Sequence, residues 1–151
     1  MSRWPLPEPM RAALDAAERA AAAGEVPIGA VVVKDGQVIA AAHNTPRDGH
    51  DPTAHAEVLA IRAAAALLGQ ERLTGCDLWV TLEPCAMCAG AIVHARLDRV
   101  YYAASDPKGG AVEHGARVFD APGCLHRPEV YSGIGEAEAA GLLREFFRAR
   151  R

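Results

Sequence analysis

The stretch Asp77-Leu-Trp-Val-Thr-Leu-Glu-Pro-Cys-Ala-Met-Cys-Ala-Gly-Ala-Ile-Val-His-Ala-Arg-Leu-Asp-Arg-Val-Tyr-Tyr-Ala-Ala104 decides the fold. Asp77 to Leu82 is a short run of strand formers, Pro84 signals a helix start, and an alanine-rich apolar pattern runs on to about Ala95. Arg99 to Ala104 is strand-like again. Two strands joined by a helix pair in parallel, with a right-handed crossover, because an antiparallel hairpin needs only a short link. The stretch is the core of an α/β layer structure.

Working outward, Ala54 to Leu68 reads as a helix closed by Gly69, after a loop rich in Asn, Pro, Asp and Gly (Asn44 to Thr53). Ile28 to Lys34 and Gln37 to His43 read as antiparallel strands joined by Asp35-Gly36, residues that tolerate the positive φ of a tight hairpin turn. Pro9 to Ala23 is a first helix, with Met10, Leu14 and Ala17 at helical spacing and Gly24 as its stop. Downstream, Ser105 to Pro128 is irregular, Glu129 to Ser132 is a short strand, and the pattern is helical from Glu136 to the end. There is no repeat and no linker, and 151 residues suit one domain over 1–151.

Composition narrows the function. The chain is 50% apolar and 23% charged, as an ordinary globular protein is. A net charge of −3 excludes a bulk polycation for nucleic acid, although the last eight residues carry four arginines and one glutamate. No uncharged apolar run approaches the ~18 residues of a membrane span, and the proline-rich start lacks a signal peptide's apolar centre, so the expected address is the cytoplasm. Four cysteines are too few for a disulfide framework; in a reducing compartment they read as metal ligands or redox thiols.

The chemistry lies in His55-Ala56-Glu57 and in Pro84-Cys85-Ala-Met-Cys88. Alone, the histidine would be an ordinary helix residue, and Cys-x-x-Cys could be a redox pair or half of a structural zinc site. Together they fall at the starts of two helices flanking one strand. Cys85 and Cys88 at i, i+3 share a helix face, and Pro84 at the first helical position places both thiols where the helix dipole favours thiolate. His55 adds a neutral nitrogen. Two thiolates and Zn²⁺ sum to zero charge, and three protein ligands leave a fourth tetrahedral position open, as in a catalytic zinc site. Glu57 separates this from a structural site, which has no use for a carboxylate beside it. Positions i and i+2 on a regular helix lie about 200° apart, so Glu57 is placed as a base beside the metal rather than as a second ligand with His55.

His-x-Glu followed by Pro-Cys-x-x-Cys resembles the signature of zinc-dependent nucleobase deaminases, the cytidine/deoxycytidylate deaminase superfamily. Glu25-Val-Pro-Ile-Gly-Ala30, Asp51-Pro-Thr-Ala-His-Ala-Glu57, Val80 to Ala91, Asp106-Pro-Lys108 and Phe146-Phe-Arg148 extend the likeness over nearly the whole chain, to the bacterial tRNA-specific adenosine deaminase branch. The departures lie at the rim: His43 and Thr45 beside Asn44, and Leu125 before His126. The resemblance implies a three-layer α-β-α fold with a five-stranded mixed sheet, a homodimer, one Zn²⁺ per subunit on His55, Cys85 and Cys88, and conversion of adenosine to inosine at the wobble position of a tRNA anticodon. By that mechanism Glu57 takes the proton of the attacking water and carries it to the ring nitrogen and the departing amine, while the backbone amide of Ala56 helps stabilise the oxyanion. The same likeness assigns substrate contacts to Asn44, Pro84, Asp106 and Lys108. On the last helix, Leu142, Leu143, Phe146 and Phe147 fall in one apolar sector and Arg144, Arg148 and Arg151 in the opposite one, a basic ridge for the anticodon stem.

Rival readings stay open on the residues alone. A deaminase of free guanine or cytosine would share the zinc site without a basic rim. A silent deaminase-like subunit would lose the glutamate, which is present. A structural zinc or redox module would release no ammonia. Cys76 and Cys124 read as isolated thiols, and His94 as structural or interfacial.

Overall fold

The computed structural model describes residues 5–150. In chain order it holds α1 (Glu8–Ala22), β1 (Gly29–Lys34), β2 (Gln37–His43), α2 (Ala56–Leu68), β3 (Cys76–Leu82), α3 (Ala86–Ala95), β4 (Arg99–Ala104), a single 3-10 turn at Val118–Asp120, β5 (Glu129–Ser132) and α4 (Glu136–Arg148). The strands form one mixed sheet in the order β2-β1-β3-β4-β5. β1 runs antiparallel to β2 and β3, whereas β3, β4 and β5 are parallel. Asp35 and Gly36 take φ of 51° and 77°, the two left-handed residues that such a tight hairpin needs.

Side chains alternate between two cores, as the period of two along a strand requires. Ala30, Val32, Leu78, Val80, Val100 and Tyr102 face one side, where Ala60 and Ala64 of α2 and Ala89 and Ile92 of α3 cover them. Val31, Val33, Trp79 and Ala103 face the other, under Met10 and Leu14 of α1 and Ala139 of α4. The result is the three-layer α/β architecture expected. The abundant alanines have a use here. They let helices approach the sheet closely, and at Gly29 the approach is so tight that a Cβ would lie 2.0 Å from the Ala13 carbonyl oxygen.

Two helices start two residues later than expected. α2 begins at Ala56 rather than Ala54, and α3 at Ala86 rather than Pro84. In each case the residue before the helix keeps an extended backbone: His55 at φ −78°, ψ 150° and Cys85 at φ −73°, ψ 177°. An extended residue at a helix end directs its side chain away from the helix surface, and both side chains are used elsewhere.

Candidate active site

The described residues bury five polar or charged side chains, Glu25, Asn44, Glu57, Thr81 and Glu83. Thr81 and Glu83 lie at the carboxyl end of β3, Glu57 opens α2, and Asn44 and Glu25 take the backbone amides of Ala56 and Asp48. Buried polar groups need partners, so their concentration marks where this fold departs from simple packing.

His55 and Cys85 are both helix N-caps, yet neither side chain caps its own helix. They turn instead toward each other and toward Cys88 in the first turn of α3. His55 Nδ1 lies 3.6 Å from Cys85 Sγ and 3.5 Å from Cys88 Sγ. One ligand atom from each residue falls within 4.8 Å of the others. Tetrahedral zinc with bonds of about 2.1–2.3 Å requires donor atoms about 3.4–3.8 Å apart, so this nitrogen and these two sulfurs fit the ion. The thiols are electrostatically unequal. The hydrogen bond from Cys88 pulls the Cys85 thiol down to about 5, and the same bond pushes Cys88 up, so the pair holds one proton that a bound metal would displace.

Glu57 follows in the first turn of α2, 4% exposed and outside the three-residue donor cluster. Because His55 precedes the helix, the two are kept apart by a change in backbone conformation, not by a helical rotation of about 200°. Burial pushes the Glu57 carboxyl up to about 7, against its own backbone N–H, which pulls it down. A carboxyl in that range both accepts and returns a proton near neutral pH.

Around this centre the rim residues are placed unevenly. Asn44 is buried, and its Oδ1 accepts the backbone N–H of Ala56 at 3.0 Å. The Ala56 amide, of which an oxyanion role is expected, donates here to Asn44 and so caps α2. No bond to Asn44 Nδ2 is found among the described residues, which leaves that amide as a donor. The Pro84 carbonyl accepts the N–H of Ala111 at 2.9 Å, and so ties down the following loop. Asp106 Oδ1 accepts the amides of Lys108 and Gly109 at 3.2 and 2.9 Å, which closes a turn and leaves Lys108 exposed.

The ridge on α4 needs correction. Phe146 is buried, but Phe147 is 50% exposed. Glu145, the one acid among the last eight residues, lies 3.5 Å from Arg148 and offsets its charge. Arg144 and Arg148 are exposed and border a cleft with Leu143 and Phe147, whereas Arg151 lies outside the described residues. Arg150 stacks 3.5 Å from the Phe146 ring centroid and serves packing instead. The apolar sector is narrower than expected because Phe147 sits at its edge, beyond the reach of the sheet.

Sequence reasoning assigns no role to Glu25 and Glu83. Glu25 Oε2 accepts the Asp48 amide at 2.7 Å and so holds the loop after β2. Glu83 gathers the loop after β4. The one signal in the sequence is an acid placed directly after the buried strand β3, where solvation alone cannot satisfy it.

This fold, with a zinc-fitting His/Cys/Cys set and a buried glutamate beside it, defines a zinc-dependent deaminase. Residues 6–104 match the cytidine and deoxycytidylate deaminase zinc-binding region, and the chain belongs to that family. It is 58% identical over 142 residues to a tRNA-specific adenosine deaminase of Agrobacterium fabrum, spanning 94% of this chain and 93% of that one. A solved structure from a study of A-to-I editing by tRNA:A34 deaminases at the wobble position of transfer RNA superposes with a TM-score of 0.88 at 58% identity, covering 89% of this chain and 98% of the other. Guanine deaminase from Bacillus subtilis is also similar, at a TM-score of 0.66 and 38% identity over 87% of this chain and 85% of that one.

Proposed function

We infer that this chain hydrolyses adenosine to inosine at the wobble position of a tRNA anticodon, releasing ammonia. The observation that carries the reading is the combination of the His55/Cys85/Cys88 donor set with 58% identity, over nearly the full length of both chains, to a tRNA-specific adenosine deaminase. Guanine deaminase shares the fold, but the lower identity of 38% and the basic α4 rim favour RNA over a free base.

His55, Cys85 and Cys88 hold zinc, which when bound supplies a Lewis-acidic position that activates water at neutral pH. The protein's own residues do the rest. Glu57 accepts a proton from the attacking water at a carboxylate oxygen and delivers it to the ring nitrogen next to C6; it then takes the proton of the hydroxyl group added at C6 and passes it to the amine, which leaves as ammonia as the C6–N bond breaks. Its burial excludes bulk water, and its shifted pKa suits both transfers. Asn44 Nδ2 donates to the base while its Oδ1 stays fixed on Ala56. A target adenine in an anticodon loop is largely unpaired, so presenting it to the pocket costs little.

The same proposal covers the finer points. Residues 1–151 act as one deaminase domain, the substrate sets a cytoplasmic address, and the enzyme is a homodimer. An apolar cleft lined by Val93, His94, Cys124 and Leu125, with Leu125 79% exposed, supports the dimer. A substrate panel tests the reading. The purified protein should form inosine in an anticodon stem-loop bearing A34 and act poorly on free adenosine, guanine, cytosine and cytidine. Release of ammonia from guanine without inosine in the stem-loop would assign it instead to the free-base deaminases.

A further inference from the structure

Glu83 is a buried carboxylate that the deamination steps leave unused. It is 2% exposed and directly follows β3. Its Oε1 takes the N–H of Asp106 at 3.0 Å and His114 Nδ1 at 2.7 Å. Its Oε2 takes the amides of Val112, Glu113 and His114 at 3.1, 2.9 and 3.1 Å. Pro84 adds its carbonyl to the Ala111 amide. Two consecutive residues thus hold the segment from Asp106 to His114, and the third in line is the zinc ligand Cys85. The packing leaves no slack, since a Cβ on Gly110 would lie 2.4 Å from Glu83 Cδ.

The held loop has a second property that points to substrate. Asp106 and Lys108 form one side of a groove of about 580 Å³ whose other lining residues include Val26, Leu82, Leu143 and Phe147. Leu143 and Phe147 also border the cleft with Arg144 and Arg148. The groove therefore offers a lysine, two nearby arginines and a half-exposed aromatic ring, the chemistry that grips a phosphate and stacks a base. The only buried apolar side chains of this loop are Ala111 and Val112, and the polar stretch from Asp106 to Gly110 that faces the groove is held chiefly by the carboxylate, through charge-assisted hydrogen bonds.

We propose that Glu83 is a positioning residue: its carboxylate fixes the 106–114 loop as one wall of a nucleotide groove, and so sets affinity for RNA flanking the reacting base without taking part in proton transfer. The proposal rests on the tRNA reading above. Glu83→Gln tests it, because either orientation of the carboxamide turns an NH₂ group toward at least two of the five donors. In the zinc-loaded enzyme, zinc content should stay at the wild-type level. Tryptic cleavage after Lys108 should quicken by ~10-fold or more, KM for an anticodon stem-loop should rise by ~10-fold, and kcat should change by less than ~3-fold, the scale of losing hydrogen bonds to a charged group. His114→Ala should act in the same direction with smaller effect, and His114→Asn, whose amide can still donate to Glu83, should recover most of it. If Glu83→Gln does not fold, the two His114 variants decide. Unchanged cleavage and KM would overturn the proposal, and so would a fall in kcat at unchanged KM, which would put Glu83 in the chemistry. A wild-type enzyme inactive on the stem-loop would instead overturn the tRNA reading, and the cleavage rates would still judge the hold on the loop.

Discussion

The side-chain oxygen of Asn44 accepts the backbone N–H of Ala56 at 3.0 Å, so a residue from the loop after β2 caps the helix that starts beside His55. His55 cannot do this itself, because its ring faces the two thiols. The helix end thus borrows a cap from twelve residues upstream, which leaves the His55 ring to the thiols and fixes the Asn44 carboxamide by one hydrogen bond.

That hydrogen bond predicts a separation of effects. Asn44→Asp keeps the acceptor for Ala56 but loses the Nδ2 donor, so thermal stability should stay within about 0.5 kcal/mol while kcat/KM on the stem-loop falls at least ~10-fold. Asn44→Ala loses both and should also destabilise the fold by about 1–2 kcal/mol. Full turnover in Asn44→Asp would remove the side chain from base recognition.

Gly110 offers a steric test of the loop. A methyl group there would press on Glu83 Cδ at 2.4 Å and on the Asp106 carbonyl at 2.6 Å. Gly110→Ala should cost about 1–3 kcal/mol, the usual scale of overpacking, in urea unfolding, and retain zinc. Wild-type stability would mean that the loop yields freely.

Stability should also carry an acid limb from Glu83. Burial raises its carboxyl, but the amides of Asp106, Glu113 and Val112 and the His114 ring outweigh burial and hold it below the usual carboxylate range. A folded-state pKa below the unfolded value contributes stability that is fully present above the unfolded value, near pH 4–5, and is lost as pH falls through the folded one. Tm measured downward from pH 6 should therefore fall less steeply in Glu83→Gln than in the wild type. Parallel curves would contradict the assignment.

Much of the fold is legible in the sequence because hydrophobic periodicity and punctuation agree along the chain. Asp35-Gly36 marks the hairpin, Gly69 ends α2, and the run from Asp77 to Ala104 sets the parallel pairing. The helix starts shift by two residues because His55 and Cys85 take extended backbones that composition does not report. The His-x-Glu and Pro-Cys-x-x-Cys pairing carries the metal cluster, because histidine and cysteine side chains at two helix starts show in residue type even 30 residues apart. Glu83 and Glu25 are not legible. Their partners are backbone amides far along the chain, and an amide leaves no trace in residue type. The exposure of Phe147 is likewise hidden, being a matter of how far α4 reaches over β4.

For the α4 rim, the exposed pair Arg144 and Arg148 should bind phosphate, with Arg148 weakened by Glu145 3.5 Å away. Replacing Arg144, Arg148 and Arg151 with alanine should leave zinc content intact and weaken stem-loop binding. For every phosphate no longer neutralised, the plot of log K against log salt should flatten by about 0.7–0.9. Arg150→Ala, which removes the stack on Phe146, should lower stability and leave the salt slope near wild type. An unchanged slope in the triple variant would make the rim an ordinary solvated face.

The most direct test of the central claim is inosine mapping in total tRNA treated with wild-type enzyme and with Glu57→Gln, alongside metal analysis of both proteins. Each protein should hold about one zinc per chain; the wild type should form inosine at position 34, and Glu57→Gln should lose at least ~10²-fold in its formation, the scale of a general acid/base. Loss of zinc from Glu57→Gln would make Glu57 a ligand, and inosine formation at the wild-type rate in that variant would contradict the proposed chemistry outright.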